Sequence, residues 1–283
     1  MKIALSCEST VDLPKELLDR FNIHTIPFYI VFGEETEPDG EGVQQKIFDY
    51  VARTGELAKT SAINEVQYEK YFSDLLKEYD AIIHITLSSK ITSSINHAEN
   101  VAKKLGEDKV KIIDSLSLST GIALQVLYAR KLIDAGLPLE TIVDKIESRR
   151  SDVQAGFVLC KLNYLHKGGR CSGMAVFGAN LLKIKPEIIL KDGSMIVGKK
   201  YMGTLSHALN SYCDNLLEKH KDADRENVFI TYSTADPSDV ASLRAKLEAF
   251  GFKNIYATTA GATITCHCGP QCIGVLFYGK EEK

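Results

Sequence analysis

Residues 80–94 read Asp80-Ala81-Ile82-Ile83-His84-Ile85-Thr86-Leu87 and then Ser88-Ser89-Lys90-Ile91-Thr92-Ser93-Ser94. The first eight form a short apolar run, the pattern of a strand buried on both faces. A hydroxyl-rich turn follows, and helical spacing resumes from about Thr92 to Leu105. A buried strand that feeds a helix is the repeating unit of a parallel α/β sheet. The same unit recurs on either side. Lys2 to Glu8 reads as a strand, with Asp12 as cap of a helix that carries Pro14 in its first turn and Leu13, Leu17 and Leu18 on one face. Ile23 to Phe32 reads as a second strand, in which Pro27 marks an edge or a bulge. Asn64 caps a helix bearing Tyr68, Tyr71, Phe72, Leu75 and Leu76. Lys109 to Asp114 is a further strand, and a long helix then runs to Ala135 with Gly136 as its stop.

After residue 160 the rhythm changes. Ile184 to Leu190, the pair Asp192-Gly193 and Ser194 to Gly198 predict a hairpin. Helices are expected over Thr204 to Lys219 and Pro237 to Phe250, and strands over Asn227 to Ser233 and Cys272 to Tyr278. The fold class expected is α/β, with two α/β domains packed together. Residues 1–160 would form an N-terminal domain with a largely parallel sheet, and residues 161–283 a C-terminal domain with a mixed sheet.

Composition narrows the function classes. The chain has 283 residues, and 34 Lys and Arg against 37 Asp and Glu give a net charge of −3. Its densest basic clusters are Lys199-Lys200 and Lys219 to Lys221, so no electrostatic footprint for nucleic acid is present. The longest apolar stretch, around Ile26 to Phe32, falls far short of the ~20 residues that span a bilayer, so no transmembrane segment is expected. Seven cysteines at scattered spacings argue against a disulfide framework and for the reducing cytoplasm.

Three stretches carry candidate chemistry. Hydroxyls stand at strand ends in Thr60-Ser61, in Ser88 to Ser94 and in Asp114-Ser115. There, helix N-terminal amides and side-chain hydroxyls together suit a carboxylate or phosphate, and plain helix capping is the competing reading. Leu165-His166-Lys167-Gly168-Gly169-Arg170-Cys171-Ser172 is a turn that reads as opening another helix. Its glycines let backbone approach an anion, and Arg170 offers a bidentate donor. Thr265-Cys266-His267-Cys268-Gly269-Pro270-Gln271-Cys272 contains zinc-type ligands. Consecutive Cys266, His267 and Cys268 would point to alternating sides if extended, however, and no second Cys-x-x-Cys completes a set, so His267 reads as a polar donor in a pocket. No Gly-x-Ser-x-Gly, His-Glu-x-x-His or Walker sequence occurs. His84, inside an apolar strand, reads as a satisfied core residue.

Taken in order, these pieces resemble the DegV family, which includes the fatty-acid-binding subunits of bacterial fatty acid kinase. The marks are Ser9-Thr10-Val11-Asp12-Leu13-Pro14, Thr60-Ser61, Leu87-Ser88-Ser89 to Ser93, Asp114-Ser115, Gly168-Gly169-Arg170, Lys185-Pro186 and His267-x-Gly269-Pro270. The resemblance covers essentially the whole chain and implies a ligand cleft or tunnel between the two domains. It implies a bound long-chain fatty acid, with the carboxylate near Thr60, Ser61, Ser93 or Ser94 and His267, and with Arg170 close to that end. No other cofactor, no metal and no catalytic residue are implied. The role implied is a lipid-binding carrier for phospholipid synthesis, with phosphoryl transfer performed by a separate ATP-dependent kinase subunit. This chain departs from the family pattern at Cys268, Gln271 and Cys272. It also departs near Tyr201 and Met202, where the family carries a basic residue thought to face the kinase.

The physics of a carrier fits. At ~0.8 kcal/mol per buried methylene, a sixteen-carbon chain supplies on the order of 10 kcal/mol before the costs of binding. The carboxylate must then regain hydrogen bonds, which hydroxyls and a protonated or Nε2–H-donating His267 can supply. Candidate tunnel residues are Phe28, Ile30, Ile95, Leu124, Phe157, Leu159 and Phe177, each of which is also a candidate for ordinary core. The rival reading is an enzyme, a hydrolase or transferase using Ser93 or Cys268 with His267, with or without a metal, and a metal or redox role for Cys266, Cys268 and Cys272 stays open.

Overall fold

The computed structural model describes residues 1–172 and 184–280. In the first part of the chain, β1 (Ile3–Glu8), β2 (Ile23–Ile26), β3 (Tyr29–Phe32), β4 (Glu35–Pro38), β5 (Lys59–Ser61), β6 (Ala81–Thr86) and β7 (Val110–Asp114) make two sheets. One is fully parallel, in the order β2-β1-β6-β7. Every residue of β1 and β6 is buried, as their apolar runs require. The other is a small antiparallel sheet in the order β4-β3-β5.

The helices of this part are α1 (Lys15–Arg20), α2 (Val43–Thr54), α3 (Glu65–Leu75), α4 (Ser94–Leu105), α5 (Thr120–Asp134) and α6 (Leu139–Arg149). The expected cap on α3 is present in full. Asn64 Oδ1 accepts from Gln67 N at 3.0 Å, and Gln67 Oε1 accepts from Asn64 N at 2.8 Å.

Two expectations are corrected here. The single strand read over Ile23 to Phe32 splits at Pro27, which has no N–H to continue a ladder, so β2 and β3 belong to different sheets. Asp12 caps no helix, because Pro14 occupies that position in α1. Asp12 instead adopts a left-handed conformation (φ 54°) at the end of a one-turn 3-10 helix over Ser9–Val11.

The rest of the chain builds a large mixed sheet from β8 (Val153–Gln154), β9 (Gly156–Leu159), β10 (Cys171–Ser172), β11 (Ile184–Lys191), β12 (Ser194–Met202), β13 (Asn227–Tyr232), β14 (Asn254–Thr259) and β15 (Cys272–Tyr278). Its order is β10-β12-β11-β9-β15-β13-β14, with β8 also paired to β15. Between them lie α7 (Asn163–Gly168), α8 (Leu205–Lys219), α9 (Pro237–Phe250) and α10 (Ala262–Cys268). The hairpin forms where expected, and Asp192 (φ 49°) with Gly193 (φ 79°) gives the two positive φ angles that a tight hairpin turn demands. Its tip docks on the first sheet's turn, with Ser88 Oγ donating to Gly193 O at 2.8 Å. The Lys167 to Arg170 turn closes a helix rather than opening one, since Gly169 (φ 68°) is the left-handed cap of α7. The helix expected after it, and Phe177, lie outside the described residues.

The helix α5 ties the two large sheets together. It packs on β1 and β6 on one side and on β13 and β15 on the other. Ile122, Ala123, Val126 and Ala129 are wholly buried, as befits a helix that is apolar nearly all round. One continuous core accordingly contains Leu5 and Ile83 of the first sheet together with Phe157, Phe229 and Leu276 of the second.

A buried polar chain sits at the end of β1. Tyr68 Oη donates to Glu8 Oε1 (2.6 Å), Leu87 N donates to Glu8 Oε2 (2.6 Å), and Tyr68 Oη also meets Ser94 Oγ at 2.9 Å. Burial pushes the Glu8 carboxyl up from 4.5 to about 7, against the lowering effect of those bonds. A carboxyl with a raised folded-state pKa contributes stability that is complete below its unfolded pKa and is lost as pH rises through the folded one. Between pH 5 and 8 the protein should lose on the order of 3 kcal/mol through Glu8, and Glu8→Gln should remove that part of the slope. Urea denaturation of both proteins at the two pH values checks this, and equal slopes would refute it.

Candidate functional site

The seven-residue helix α10 is held by hydrogen bonds from distant parts of the chain. At the start of α10, Gly261 N donates to Asp12 Oδ1 (2.9 Å), while Ala262 N and Thr263 N donate to the Asp39 carboxylate (2.9 and 3.1 Å). Two carboxylates from the first part of the chain therefore satisfy the amides left open at this helix end. Gln44 Nε2 lies 2.9 Å from each of Ser233 O, Ala260 O and Thr265 Oγ1. Cys266 Sγ donates to Ala58 O at 3.0 Å.

Held in this way, α10 points His267 at β5. His267 Nε2 lies 2.9 Å from Thr60 Oγ1. The other side of the ring rests on Gly168, where a Cβ would come within 2.8 Å of His267 Nδ1, so only glycine fits. Burial, then the nearby Arg170 charge, lowers the His267 pKa to about 4. Near neutral pH the imidazole is therefore uncharged, which removes the protonated alternative for the unliganded site.

Thr60 and His267 line a cavity of about 370 Å³, within the usual range of ~300–1,000 Å³ for small-molecule sites. Its apolar wall includes Phe28, Leu87, Leu118, Phe157, Leu165 and Leu276. In β15 the alternate residues Cys272, Gly274 and Leu276 face it, as the period of a strand requires. The large mixed sheet and the small sheet contribute strand residues to the lining, and the loop that follows β6 contributes Leu87 and Ser89 to Ser93.

The six residues expected at the head group divide four to two. Thr60, Ser93, Arg170 and His267 line the cavity; Ser61 and Ser94 do not. Thr60 and Ser61 are neighbours on a strand, so one side chain faces α10 while the other is exposed. Ser93 stands at the N-cap of α4 but its side chain makes no capping bond, and it is exposed at the cavity. Ser94, one residue on, is wholly buried and spent on Tyr68. Arg170 is exposed and uses one Nη in a bond to Gly168 O. Of the tunnel candidates, Phe28 and Phe157 line the cavity, and Ile30, Ile95, Leu124 and Leu159 do not.

Thr263 was missed by sequence reasoning. It lines the cavity, and its buried Oγ1 has no hydrogen-bond partner. The signal was its place in the hydroxyl-rich run from Thr258 to Thr265, just ahead of the histidine motif.

Cys266, His267 and Cys268 are helical, not extended, so they splay round α10. Cys266 turns to Ala58, while Cys268 and Cys272 lie at the cavity; Cys268 Sγ donates to Gly269 O at 3.5 Å, and the neighbouring Cys268 thiol, then burial, raises the Cys272 thiol well above its ordinary range. His267 Nε2 is engaged with Thr60, whereas nucleophilic catalysis would need its base within reach of Ser93 or Cys268. None of the seven cysteines forms a disulfide. His84 is a buried core residue with Nδ1 2.8 Å from Ser6 Oγ, but it is only half satisfied, because its buried Nε2 has no hydrogen-bond partner.

The model of the DegV family matches residues 2–280. The chain belongs to the DegV family. A Thermotoga maritima protein named fatty acid-binding protein is 28% identical over 100% of both chains. The DegV protein of Bacillus subtilis is 29% identical, over 99% of this chain and 100% of its own. Among solved structures, a fatty-acid-binding DegV family protein of Thermus thermophilus superposes with a TM-score of 0.91 at 27% identity, covering 98% of this chain and 99% of that one. Among the described residues, no helix is long and apolar enough to cross a membrane.

A carboxylate placed beside His267 would favour the charged ring, so its pKa should rise from about 4 when a carboxylate ligand enters. Between the two values binding takes up a proton, so affinity should strengthen as pH falls from the raised value towards about 4, while well above the raised value the ring is neutral in both states. An NMR titration of the His267 ring in the empty and loaded protein measures the shift. Identical pKa values in the two states would exclude direct contact.

Proposed function

We propose that this DegV family protein is a cytoplasmic carrier that buries a long-chain fatty acid in the 370 Å³ cavity and holds its carboxylate at the Thr60–His267 pair. The observation that carries the reading is this neutral donor pair, contributed by distant parts of the chain, set in a cavity with an apolar wall. The relatives named as fatty acid-binding support it. Arg170 and Ser93 are exposed at the cavity and mark the side from which the carboxylate is reached. The carboxylate is there presented to a separate ATP-dependent kinase subunit, which converts it to an acyl phosphate, and the carrier performs no catalysis of its own. Cysteines that form no disulfide suit the reducing cytoplasm. The two domains of this reading are residues 1–160 and 161–283, and the start of the large sheet's strands at Val153 supports a division in that region.

Solvent extraction of the purified protein followed by mass spectrometry should release a long-chain fatty acid. No acyl chain in the extract, together with no uptake in a fatty-acid titration, would end this reading. Thr60→Val and His267→Ala should keep the fold and weaken fatty-acid binding about tenfold or more, the scale of a hydrogen bond to a charged group. Displacement of a fluorescent fatty acid reads that change. Unaltered affinity in both variants would make the pair structural.

A further inference from the structure

The segment that carries Ser93 to the cavity is clamped at both ends by one buried carboxyl. Leu87 and Ser89 to Ser93 line the cavity, and Ser94 follows as the first residue of α4. At the front, Leu87 N donates to Glu8 Oε2 (2.6 Å). At the back, Ser94 Oγ lies 2.9 Å from Tyr68 Oη, which is itself 2.6 Å from Glu8 Oε1. Between these clamps the segment folds on itself, since Ser94 N donates to Thr92 Oγ1 and both Ile91 N and Thr92 N donate to Ser88 O. Glu8, Tyr68 and Ser94 are wholly buried, so solvent does not stand in for these bonds.

Glu8 lies on the face of β1 that meets α3. On that face Ser6 is bonded to Tyr71 Oη and His84 Nδ1, and His24 of β2 stands opposite Ser6 in register. Burial keeps His84 uncharged, at about 3, and lowers His24 as well. Cys7 points to the other face of β1, where α5 presents no titratable side chain before Tyr128. Asp12 is spent on Ser119 and Gly261, while Glu65, His97 and Lys104 of α3 and α4 pair with one another nearer the surface. Asp114, at the end of β7, adds a like charge and holds the same segment through Ser89 N (3.2 Å). Among the described residues no lysine or arginine offsets the Glu8 charge.

The hydroxyl chain can run in two directions. A charged Glu8 can only accept, so Tyr68 O–H donates to it and Ser94 O–H donates to Tyr68. A protonated Glu8 donates to Tyr68, Tyr68 donates to Ser94, and the Ser94 hydrogen is released from the chain. The bond from Leu87 N persists in both states, because the protonated acid keeps a carbonyl oxygen. Protonation thus removes a buried negative charge behind the segment and frees a donor at its end, and both changes favour an anion at Ser93.

We infer, on the fatty-acid reading of the cavity, that binding of the acyl carboxylate takes up a proton at Glu8, and that the Glu8–Tyr68–Ser94 chain couples the two events. Loading favours the protonated acid, and by reciprocity the protonated acid favours loading. In the empty protein Glu8 titrates at about 7, so the coupling operates near neutral pH. The like charge of the ligand raises that value further. Affinity therefore strengthens as pH falls through this range and levels off where Glu8 is protonated in both states.

Binding of cis-parinaric acid, a fluorescent long-chain fatty acid, to the full chain and to Glu8→Gln between about pH 5.5 and 8.5 tests the coupling. Gln keeps an acceptor for Leu87 N and a donor for Tyr68 but cannot ionise. The two proteins should bind alike at the low end, and Glu8→Gln should bind about fivefold or more tighter at the high end, the lower range of coupling between sites. His267 and the ligand's own carboxyl titrate in both proteins, so their effect cancels from the ratio of affinities. Circular dichroism verifies the fold of the variant. Carboxyl-carbon NMR of the unsubstituted protein gives a reading that needs no variant: the Glu8 pKa should be higher in the loaded state than in the empty one. A ratio of affinities that does not change with pH overturns the coupling, and so does a Glu8 pKa that is unchanged or lower on loading, while fatty-acid binding itself stands in either case. An unsubstituted protein that binds fatty acid at no pH ends the carrier reading, and the coupling with it.

Discussion

The carboxylates of Asp12 and Asp39, closed on the first amides of α10, are the constraint on which the site depends. The helix has only seven residues, too few to hold itself together by propensity. Its amides have to be received by something, and the two aspartates come from a turn after β1 and from the end of β4, more than two hundred positions away. Asp12 accepts the strained left-handed backbone that lets its carboxyl reach Gly261 and Ser119. Gln44 and Ala58 complete a belt around the same helix. The outcome is that His267 meets Thr60 at a fixed distance although the two belong to different halves of the chain.

That belt explains why the sequence showed the cast more clearly than the roles. Asp12 looked like a helix cap because Asp ahead of Leu-Pro is a common cap signal, and only tertiary structure offered it a stronger partner. Strands β6 and β15 and helix α9 were legible because their apolar runs or cap signals are long and self-consistent. The small sheet of β3, β4 and β5 was not, since strands of three or four residues carry too little pattern to separate from loop. The residues of α10 failed for a related reason. Two cysteines, a histidine and threonines have no helical preference, and the helix exists because its ends are held from outside.

The hydroxyls show the same limit at higher resolution. The hydroxyl pairs Thr60-Ser61 and Ser93-Ser94 could be located on strand ends and helix starts, and each pair put one member in the cavity and one out of it. On a strand, neighbours face opposite ways, and on a helix they diverge by about 100°. A motif of two adjacent hydroxyls therefore nearly guarantees that one is available, while leaving the choice to the packing behind them. For Ser94 that packing is the Tyr68–Glu8 chain, which draws its hydroxyl inward and frees Ser93 from the usual duty of a cap residue.

A neutral histidine suits the proposed carrier better than a charged one. Burial of an acyl chain already supplies on the order of 10 kcal/mol, so the head group has to be oriented more than it has to be gripped. An imidazolium facing a buried carboxylate would form an ion pair whose desolvation cost offsets much of its attraction, and it would draw electron density from the oxygens that must attack a phosphoryl group. With His267 held near a pKa of about 4 by burial and by Arg170, the unliganded ring is a hydrogen-bonding partner of Thr60 and nothing more. The threonine and the imidazole can then turn their donors to a carboxylate without a charge having been buried in advance. Arg170, exposed at the same cavity, adds positive potential from the solvent side, where water screens it and its cost is low. In the proposed carrier, affinity would thus come from the apolar wall, orientation from the neutral pair, and accessibility from leaving the arginine outside.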